Sequence, residues 1–331
     1  MKELIKRPQI MEEAAQSKKG MIWILEILVF LLVAYIGQVL QGLVLVVPQT
    51  KALYSSPAYQ AAIQSGDVTA AMEASVQISQ QLTQSDWFMI LNLFSNILMI
   101  GVVFIFCRFI QKRKLRTLGF VNKDVFKSYG IGMILGFVFF AACVGLGILT
   151  GGLTMNGLSD NFTANIWVLY LLGFMVQGMA EEVLCRGYFM SSFARRYPVW
   201  VAVGINALVF ACMHLANPGI GVLPIINLFL FGVFASLYYV RGGNIWGIGA
   251  FHTVWNFAQG NVFGVRVSGL SVTNSLLSVT ATEGKSLING GSFGVEGSLI
   301  CTLVYVAGIV WLLTRKNKDE VEESKKIAAQ A

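Results

Sequence analysis

The sequence alternates long apolar runs with short polar segments. Each run has about the length that a helix needs to cross the roughly 30 Å hydrocarbon core of a bilayer. The runs lie at residues 21–47, 87–110, 128–152, 165–189, 199–215, 219–240, 245–262 and 297–314. This pattern predicts an all-α fold, a polytopic membrane helical bundle of about eight transmembrane helices.

The composition agrees with a membrane protein. Of the 331 residues, 56% are hydrophobic and 12% are charged, whereas soluble globular proteins contain about 25% charged residues. These values exclude a disordered, fibrous or disulfide-stapled secreted protein. The net charge of +7 lies in short segments between the apolar runs and not on one water-exposed face. We therefore expect the lipid bilayer, and not nucleic acid, as the partner of these cations.

The distribution of Lys and Arg predicts the orientation. With the N-terminus in the cytoplasm, 21 of the 24 cationic residues fall in cytoplasmic segments, and only Lys51, Arg266 and Lys285 fall outside. Cations concentrate on the cytoplasmic side of membrane proteins. We therefore expect both termini in the cytoplasm, and the composition suits a bacterial cytoplasmic (inner) membrane.

The predicted spans divide the chain into three parts. Residues 1–160 hold the first three helices and an outer loop at 48–86, which we expect to form a helical hairpin outside the membrane. Residues 165–260 hold helices four to seven and the candidate chemistry. Residues 261–331 hold a Gly- and Ser-rich outer loop at 263–296, expected to be flexible, then the last helix and a charged cytoplasmic tail.

Charged groups inside a bilayer cost about 2.5–3.5 kcal/mol each on insertion scales, so each one kept there needs a reason. Only three of the 17 acidic residues, Glu26, Glu181 and Glu182, fall within predicted spans. Glu26 lies one turn from the start of its helix and is expected to reach the interface. Glu182 and Arg186 share one helix face and can pair, whereas Glu181, rotated by about 100°, lacks that partner. On this segment alone, a purely structural ion cluster is the alternative.

The two histidines of the chain, His214 and His252, both fall in predicted membrane helices. Phe210 precedes His214 by one helical turn, and Asn256 follows His252 by one turn. A single histidine within a membrane most often serves as an interhelical hydrogen-bonding group. Two histidines beside an unpaired carboxylate favour catalysis instead.

Two mechanisms are open for these side chains. In the first, Glu181 acts as general base toward a water that His214 orients, while His252 and Asn256 donate hydrogen bonds to the oxyanion. These are the parts of an amide hydrolase without a Ser or Cys nucleophile. In the second, Glu181, His214 and His252 hold one Zn²⁺, with a position left for the attacking water. The H-E-x-x-H spacing of soluble zinc proteases is absent, but the sequence does not decide between a metal and a metal-free mechanism.

In either mechanism the candidate side chains must share one pocket. We expect Glu181, His214, His252 and Asn256 to converge there, and we expect the pocket to open to the cytoplasmic side.

Three motifs on membrane helices four, five and seven carry a family resemblance. They are Glu-Glu-x-x-x-Arg (Glu181, Glu182, Arg186), Phe-x-x-x-His (Phe210, His214) and His-x-x-x-Asn (His252, Asn256). In this order they resemble the motifs of the CPBP family, which comprises the CAAX prenyl endopeptidases and bacterial membrane proteases linked with bacteriocin self-immunity. The resemblance covers about residues 165–260.

The resemblance implies an intramembrane endopeptidase that acts on a peptide or membrane-protein substrate, with bacteriocin processing or self-immunity as one role. It implies that Glu181 activates the water and that Glu182 and Arg186 support the site. It further implies that His214 assists at the water and that His252 and Asn256 stabilise the oxyanion. The oligomeric state stays open.

Two other functions stay open beside this one. A non-enzymatic membrane immunity or chaperone protein would use the polar cluster to pack helices together. An ion-coupled transporter would use Glu181 and Glu182 as a proton relay. Against the transporter, the sequence shows no internal repeat.

Overall fold

The structure is a computed structural model that describes residues 5–17 and 19–315. Lys2, Lys18 and the predicted charged tail from residue 316 onward lie outside the described residues. Helices are the main secondary structure. They are α1 Gln9–Ser17, α2 Trp23–Ser55, α3 Pro57–Ser65, α4 Val68–Thr83, α5 Asp86–Ser95, α6 Ile97–Ile105, α7 Val125–Leu149, α8 Ala164–Glu182, α9 Ser191–Phe193, α10 Val199–Met213, α11 Val222–Gly242, α12 Trp246–Phe257, α13 Ser286–Asn289 and α14 Leu299–Leu313.

The predicted membrane bundle is confirmed. Five helical segments are long and apolar enough to cross a membrane, namely Trp23–Ser55, Asp86–Ile110, Val125–Leu149, Ala164–Phe193 and Val222–Gly242. The other three predicted spans correspond to α10, α12 and α14, which are shorter helices. Three segments continue helices with π-helical turns, Phe106–Ile110 after α6, Val183–Met190 after α8 and Ala258–Val262 after α12.

Segments predicted on the same side of the membrane meet at the same end of the bundle. At the end that we call the inner end, Arg7 donates a hydrogen bond to the carbonyl of Ala194 at 2.7 Å. At the opposite end, the outer end, Asn217 donates to the carbonyl of Ser268 at 3.0 Å. Such pairs can meet only if the chain crosses the bundle an even number of times between them. The contacts therefore agree with the predicted alternation of inner and outer segments.

The outer loop at 48–86 forms the helical hairpin expected from the sequence. Helix α2 continues to Ser55, and α3 and α4 turn back beside it. The hydroxyl of Ser56 caps α3 by accepting from the amide of Tyr59, and Asp67 caps α4 by accepting from Ala70. Short polar side chains at these positions satisfy amides that the first helical turn leaves unpaired.

The outer loop at 263–296 differs from the flexible segment expected from its Gly and Ser content. Strand β2, Leu277–Ala281, pairs antiparallel with β1, Leu153–Leu158, with a bulge next to Met155. Gly264 adopts a positive φ of 69°, which glycine reaches without the steric cost of a Cβ. Its glycines therefore allow tight turns and close packing in an ordered segment.

Helix α12 lies at the centre of the bundle. Every residue from Gly247 to Phe257 is buried, and the helix packs between α7 and α8. On α7, a Cβ at Gly132 or Gly136 would lie within 2.5 Å of a backbone carbonyl oxygen of α12. On α8, a Cβ at Gly178 would lie 2.8 Å from the backbone nitrogen of Thr253. Small residues let membrane helices approach closely, and here they bring two motif-bearing helices together.

Candidate active site

Helix α8 carries the two adjacent glutamates into the middle of the bundle. The α-helix ends at Glu182 and continues as a π-helical segment, Val183–Met190, before α9 ends at Phe193. The predicted fourth span ended at residue 189, so the observed helix is longer. π-Helical segments inside helices often occur at functional sites, and Val183–Met190 begins directly after the glutamate pair.

Glu182 is the buried member of the pair. Its side chain has no exposed surface, and its Oε1 accepts a hydrogen bond from Nη1 of Arg186 at 2.8 Å. The guanidinium carbon of Arg186 lies 4.6 Å from the ring centroid of Phe210 and 5.6 Å from that of Phe231. The predicted i, i+4 ion pair is therefore present, and two aromatic rings cover its cation.

His252 lies between the two glutamates. Its Nδ1 is 2.8 Å from Oε1 of Glu182, and its Nε2 is 3.8 Å from Oε2 of Glu181. A carboxylate oxygen accepts, so Nδ1 carries the proton in the first contact. Nε2 of the neutral ring is then a lone pair, and 3.8 Å is too long for a direct hydrogen bond. His252 can donate to an oxyanion, as predicted, only as an imidazolium.

Glu181 is the accessible member of the pair, with 23% of its side chain exposed. Its Oε1 accepts from Nε2 of Gln177 at 2.5 Å, and Oε1 of Gln177 accepts from Nδ2 of Asn256 at 3.0 Å. The amide of Gln177 therefore links the predicted base to the predicted oxyanion donor. Glu181 lines the cavity described below, and its Oε2 lies 3.8 Å from Nε2 of His252.

His214 follows the last residue of α10 instead of lying within the helix. Its Nδ1 lies 2.8 Å from the carbonyl oxygen of Phe210. A carbonyl only accepts, so Nδ1 carries the proton and Nε2 of the neutral ring is an acceptor. The ring centroid of Phe210 lies 4.7 Å from that of His214 and 4.6 Å from the guanidinium carbon of Arg186, so the phenyl group contacts both side chains.

A cavity of about 390 Å³ joins these side chains. Glu181, His214, His252 and Asn256 all line its wall, together with Gln177. Glu182 and Arg186 lie behind the wall and reach the cavity through His252 and Phe210. The structure thus brings the four predicted catalytic side chains to one space and places the predicted supporting pair next to it.

The cavity does not open where the sequence predicted. Its wall includes residues 267–272 of the outer loop, Asn217 at the turn after α10, and Gln38 and Asn92 from the first two spans. In the part of the chain that the structure describes, none of the wall residues belongs to an inner-end segment. The expectation of a cytoplasmic opening is therefore wrong for the predicted orientation. The cavity opens at the outer end because His214, one of its wall residues, lies at the outer end of α10.

Glu26 also differs from its expected position. It was predicted to reach the interface, yet its side chain is fully buried and accepts from the amide of Met21 at 3.0 Å. The segment before α2 and the turn after α9 pack together at the inner end, where Arg196 donates to the carbonyl of Gly20. This packing covers the carboxylate.

The predicted ligands for a Zn²⁺ are Glu181, His214 and His252. Within residues 5–17 and 19–315, no group of three His, Cys, Asp or Glu side chains is arranged to hold a metal ion. Glu181, His214 and His252 line the same cavity, but they do not form a ligand set.

Among the cavity-lining residues that the sequence did not single out, Gln177 and Glu296 contact other polar groups of the site. Gln177 lies one turn before Glu181, and this i, i+4 spacing was the signal that could have identified it. Glu296, in the outer loop, is buried and accepts from the indole nitrogen of Trp255 at 2.8 Å and from the hydroxyl of Ser268 at 2.7 Å. No local pattern marks Glu296, because its partners lie far away in sequence.

Comparison with known protein families gives a match over residues 163–258 to Type II CAAX prenyl endopeptidase Rce1-like. The matched segment runs through α8 to α12 and holds all three motifs, so the predicted resemblance is confirmed over this segment. The likeness supports a membrane protease, a hydrolase, in general terms. Comparisons with curated proteins and with solved structures give no match.

Proposed function

We propose that this integral membrane protein is an intramembrane endopeptidase that hydrolyses a peptide bond with a water activated by Glu181. One observation carries the proposal. Of two adjacent glutamates, Glu182 is buried and engaged by Arg186 and His252, whereas Glu181 lines a cavity and lies opposite an imidazole. A structural ion cluster needs only the first of these two arrangements.

Glu181 can both take up and return the proton that is transferred during hydrolysis. Oε2 of Glu181 takes a proton from water while the water oxygen bonds to the substrate carbonyl carbon. Nε2 of His214 accepts a hydrogen bond from the same water and orients it. When the carbon–nitrogen bond breaks, Glu181 returns the proton to the leaving amine. The carboxylate is thus regenerated without a covalent enzyme intermediate.

The oxyanion is stabilised by two donors on α12. Nδ2 of Asn256 has two N–H groups, and one of them donates to Gln177, which leaves the second for the oxyanion. Nε2 of His252 is the other donor in its imidazolium form. With that proton the charges of Glu181, Glu182, Arg186 and His252 sum to zero, which favours ion burial in a low-dielectric site.

The substrate reaches the site from the outer end. The cavity wall there carries Ser268 and Leu270 of the outer loop and Asn217 of the turn after α10. We place the chain in a bacterial cytoplasmic membrane, because its positive-inside pattern suits one. The scissile bond then belongs to a peptide or membrane protein segment on the outer side, and a role in bacteriocin processing or self-immunity is the finer proposal.

Replacing Glu181 with Gln tests the chemistry. The amide keeps the size of the side chain but accepts no proton, so cleavage falls by about 10²–10⁴-fold, the usual contribution of a general base. The measurement compares, by mass spectrometry, the membrane peptides of cells that carry the native chain or the Glu181→Gln chain. Glu73→Gln, on the exposed outer hairpin, is the matched control and keeps the native cleavage pattern.

Two outcomes would contradict this assignment. If Glu181→Gln cleaves at the native rate, Glu181 is not the base. If cells that carry the Glu181→Gln chain also keep every phenotype of the native chain, the non-enzymatic immunity or chaperone function is favoured. If dialysis against a chelator abolishes cleavage by the purified chain and Zn²⁺ restores it, the metal-free mechanism is wrong.

Cysteine labelling tests the direction of access. Four of the native cysteines are buried and Cys212 is exposed, so Cys212→Ser provides the background. In this background Leu270→Cys reacts with a membrane-impermeant maleimide on intact cells, whereas Lys114→Cys, exposed at the inner end, reacts only after permeabilisation. The reverse result would place the cavity on the cytoplasmic side.

A further inference from the structure

A second cavity, of about 340 Å³, lies at the inner end of the bundle. Its wall is formed by the start of α7, the end of α11, the turn before α12 and the end of α14. Among the described residues, it shares no wall residue with the candidate active site. It is therefore a separate space that the proposed hydrolysis does not use.

Three cations from three different segments line this cavity. Lys127 lies in the first turn of α7, Arg241 in the last turn of α11, and Arg315 just after α14. Among the described wall residues one is acidic, Asp124. The described wall residues thus carry a net positive formal charge, at the end of the bundle where the sequence places the cytoplasmic surface of the membrane.

The geometry of two of these cations is fixed by neighbours. Nε of Arg241 donates to the carbonyl of Leu312 at 3.1 Å, which ties the end of α11 to the end of α14. The guanidinium carbon of Arg315 lies 5.2 Å from the ring centroid of Trp311. Arg241 thus joins two walls of the cavity, and Arg315 lies over an aromatic side chain of the wall.

Beside the polar Ser128 and Asn244, much of the remaining wall is apolar, and this apolar part continues onto the lipid-facing surface. Ile131, Leu135 and Tyr238 line the cavity, and the side chains of Ile131 and Trp311 are 45% and 36% exposed. Trp and Tyr concentrate at the level of lipid headgroups in membrane proteins. The cavity therefore has cations on its aqueous side and an apolar wall that extends toward the hydrocarbon.

We propose that this cavity binds the headgroup of an anionic phospholipid, with the phosphate among Lys127, Arg241 and Arg315 and an acyl chain along Ile131 and Trp311. Basic pockets between membrane helices on the cytoplasmic side recognise anionic headgroups. A soluble anion would use the cations but leave the exposed apolar wall without a function. The combination of the two surfaces favours a lipid.

The experiment measures lipid preference of the full chain. The protein is purified in neutral detergent with an equimolar mixture of phosphatidylglycerol and phosphatidylcholine, and the retained lipids are counted by native mass spectrometry. The native chain retains phosphatidylglycerol preferentially. The double variant Lys127→Gln with Arg315→Gln lowers this preference by about fivefold for each cation removed. Arg241 is left unchanged because it joins two helices.

The matched control removes the same charge elsewhere. Arg108 and Lys114 are exposed on the predicted cytoplasmic side and do not line the cavity, within the described residues. Arg108→Gln with Lys114→Gln keeps the native preference. An equal loss in the control, or no loss in the cavity variant, would overturn the proposal, because the preference would then follow net charge or another site.

Two further measurements separate the alternatives. Brominated phosphatidylglycerol quenches tryptophan fluorescence in the native chain more than in Trp311→Phe, whereas equal quenching would place the acyl chain elsewhere.

Glycerol phosphate, which has the headgroup charge but no acyl chain, fails to displace the lipid at an equal concentration. Displacement at equal concentration would show a site for soluble phosphate esters and overturn the lipid assignment. Each variant keeps the thermal unfolding midpoint of the native chain, since the substituted side chains lie at the surface.

Discussion

Arg113 and Arg186 are both fully buried, but their hydrogen-bond acceptors differ in charge. Arg113, at the inner end, donates to neutral acceptors, with Nη1 contacting Gln111 at 3.1 Å and Ser192 at 2.8 Å and Nε contacting Thr117 at 3.1 Å. Burial lowers the pKa of the Arg113 guanidinium, because desolvation disfavours its charged form. Arg186 instead pairs with one carboxylate, that of Glu182.

This contrast indicates that Arg113 has a structural role, whereas Arg186 supports the catalytic site. The partners of Arg113 connect the segment after α6 to α9, so the charge ties two chain segments together. The partner of Arg186 also accepts from His252, which lines the cavity and whose other nitrogen lies 3.8 Å from Oε2 of Glu181. A change at Arg113 should therefore affect stability alone, whereas a change at the Glu182 pair should affect both stability and the state of the catalytic imidazole.

Among the variants that test this comparison, Glu182→Gln is expected to have the largest effect. The amide leaves the buried Arg186 without its counter-charge, so the free energy of unfolding falls by about 3–5 kcal/mol. His252 loses the negative charge that stabilises its imidazolium form, so cleavage per folded molecule falls by about 10²-fold. Thermal unfolding in detergent and the cleavage rate of the folded fraction measure the two effects separately.

Arg113→Met is the counterpart of this variant. It leaves the polar groups of Gln111, Thr117 and Ser192 without their shared donor, at about 1–3 kcal/mol for each group that stays unsatisfied. Cleavage per folded molecule stays at the native value. If Arg113→Met instead lowered the cleavage rate of the folded fraction, the separation between the two arginines would be wrong.

A smaller effect is expected from Gly178→Ala. The added Cβ would lie 2.8 Å from the backbone nitrogen of Thr253, so α8 and α12 must move apart and shift Glu181 relative to His252. A displacement of about 1 Å can lower an enzymatic rate by about 10²-fold. In Gly145→Ala on α7 the new Cβ meets no described atom within 4 Å, so this control keeps native activity. Equal activity of the two alanine variants would contradict the close-packing explanation.

The smallest effect is expected from Gln177→Leu. The variant removes the donor to Glu181 and the acceptor for Asn256, and one such hydrogen bond contributes about 1–3 kcal/mol when its partner is left unsatisfied. We expect kcat to fall by roughly tenfold with KM nearly unchanged, because the link positions groups that act in the transition state. A rise in KM with native kcat would show that Gln177 binds substrate instead.

Much of the candidate site follows from local spacing. The Glu182–Arg186 pair is set by one helical turn, and the same spacing places Asn256 after His252 on α12. Gln177 was not predicted because glutamine carries no charge, although it also lies four residues, about one helical turn, from Glu181. Glu296 could not be found in this way, since Trp255 and Ser268 reach it only after the outer loop folds back.

The sequence by itself determined the membrane bundle, the alternation of its segments and the residues that carry the three motifs. These features depend on the free energy of placing each side chain in lipid or water, which is a local property of the chain. Only the tertiary structure decided which imidazole lies between the two glutamates and at which end the cavity opens. Those features depend on how closely α8 and α12 approach and on where α10 ends, and both result from packing between distant segments.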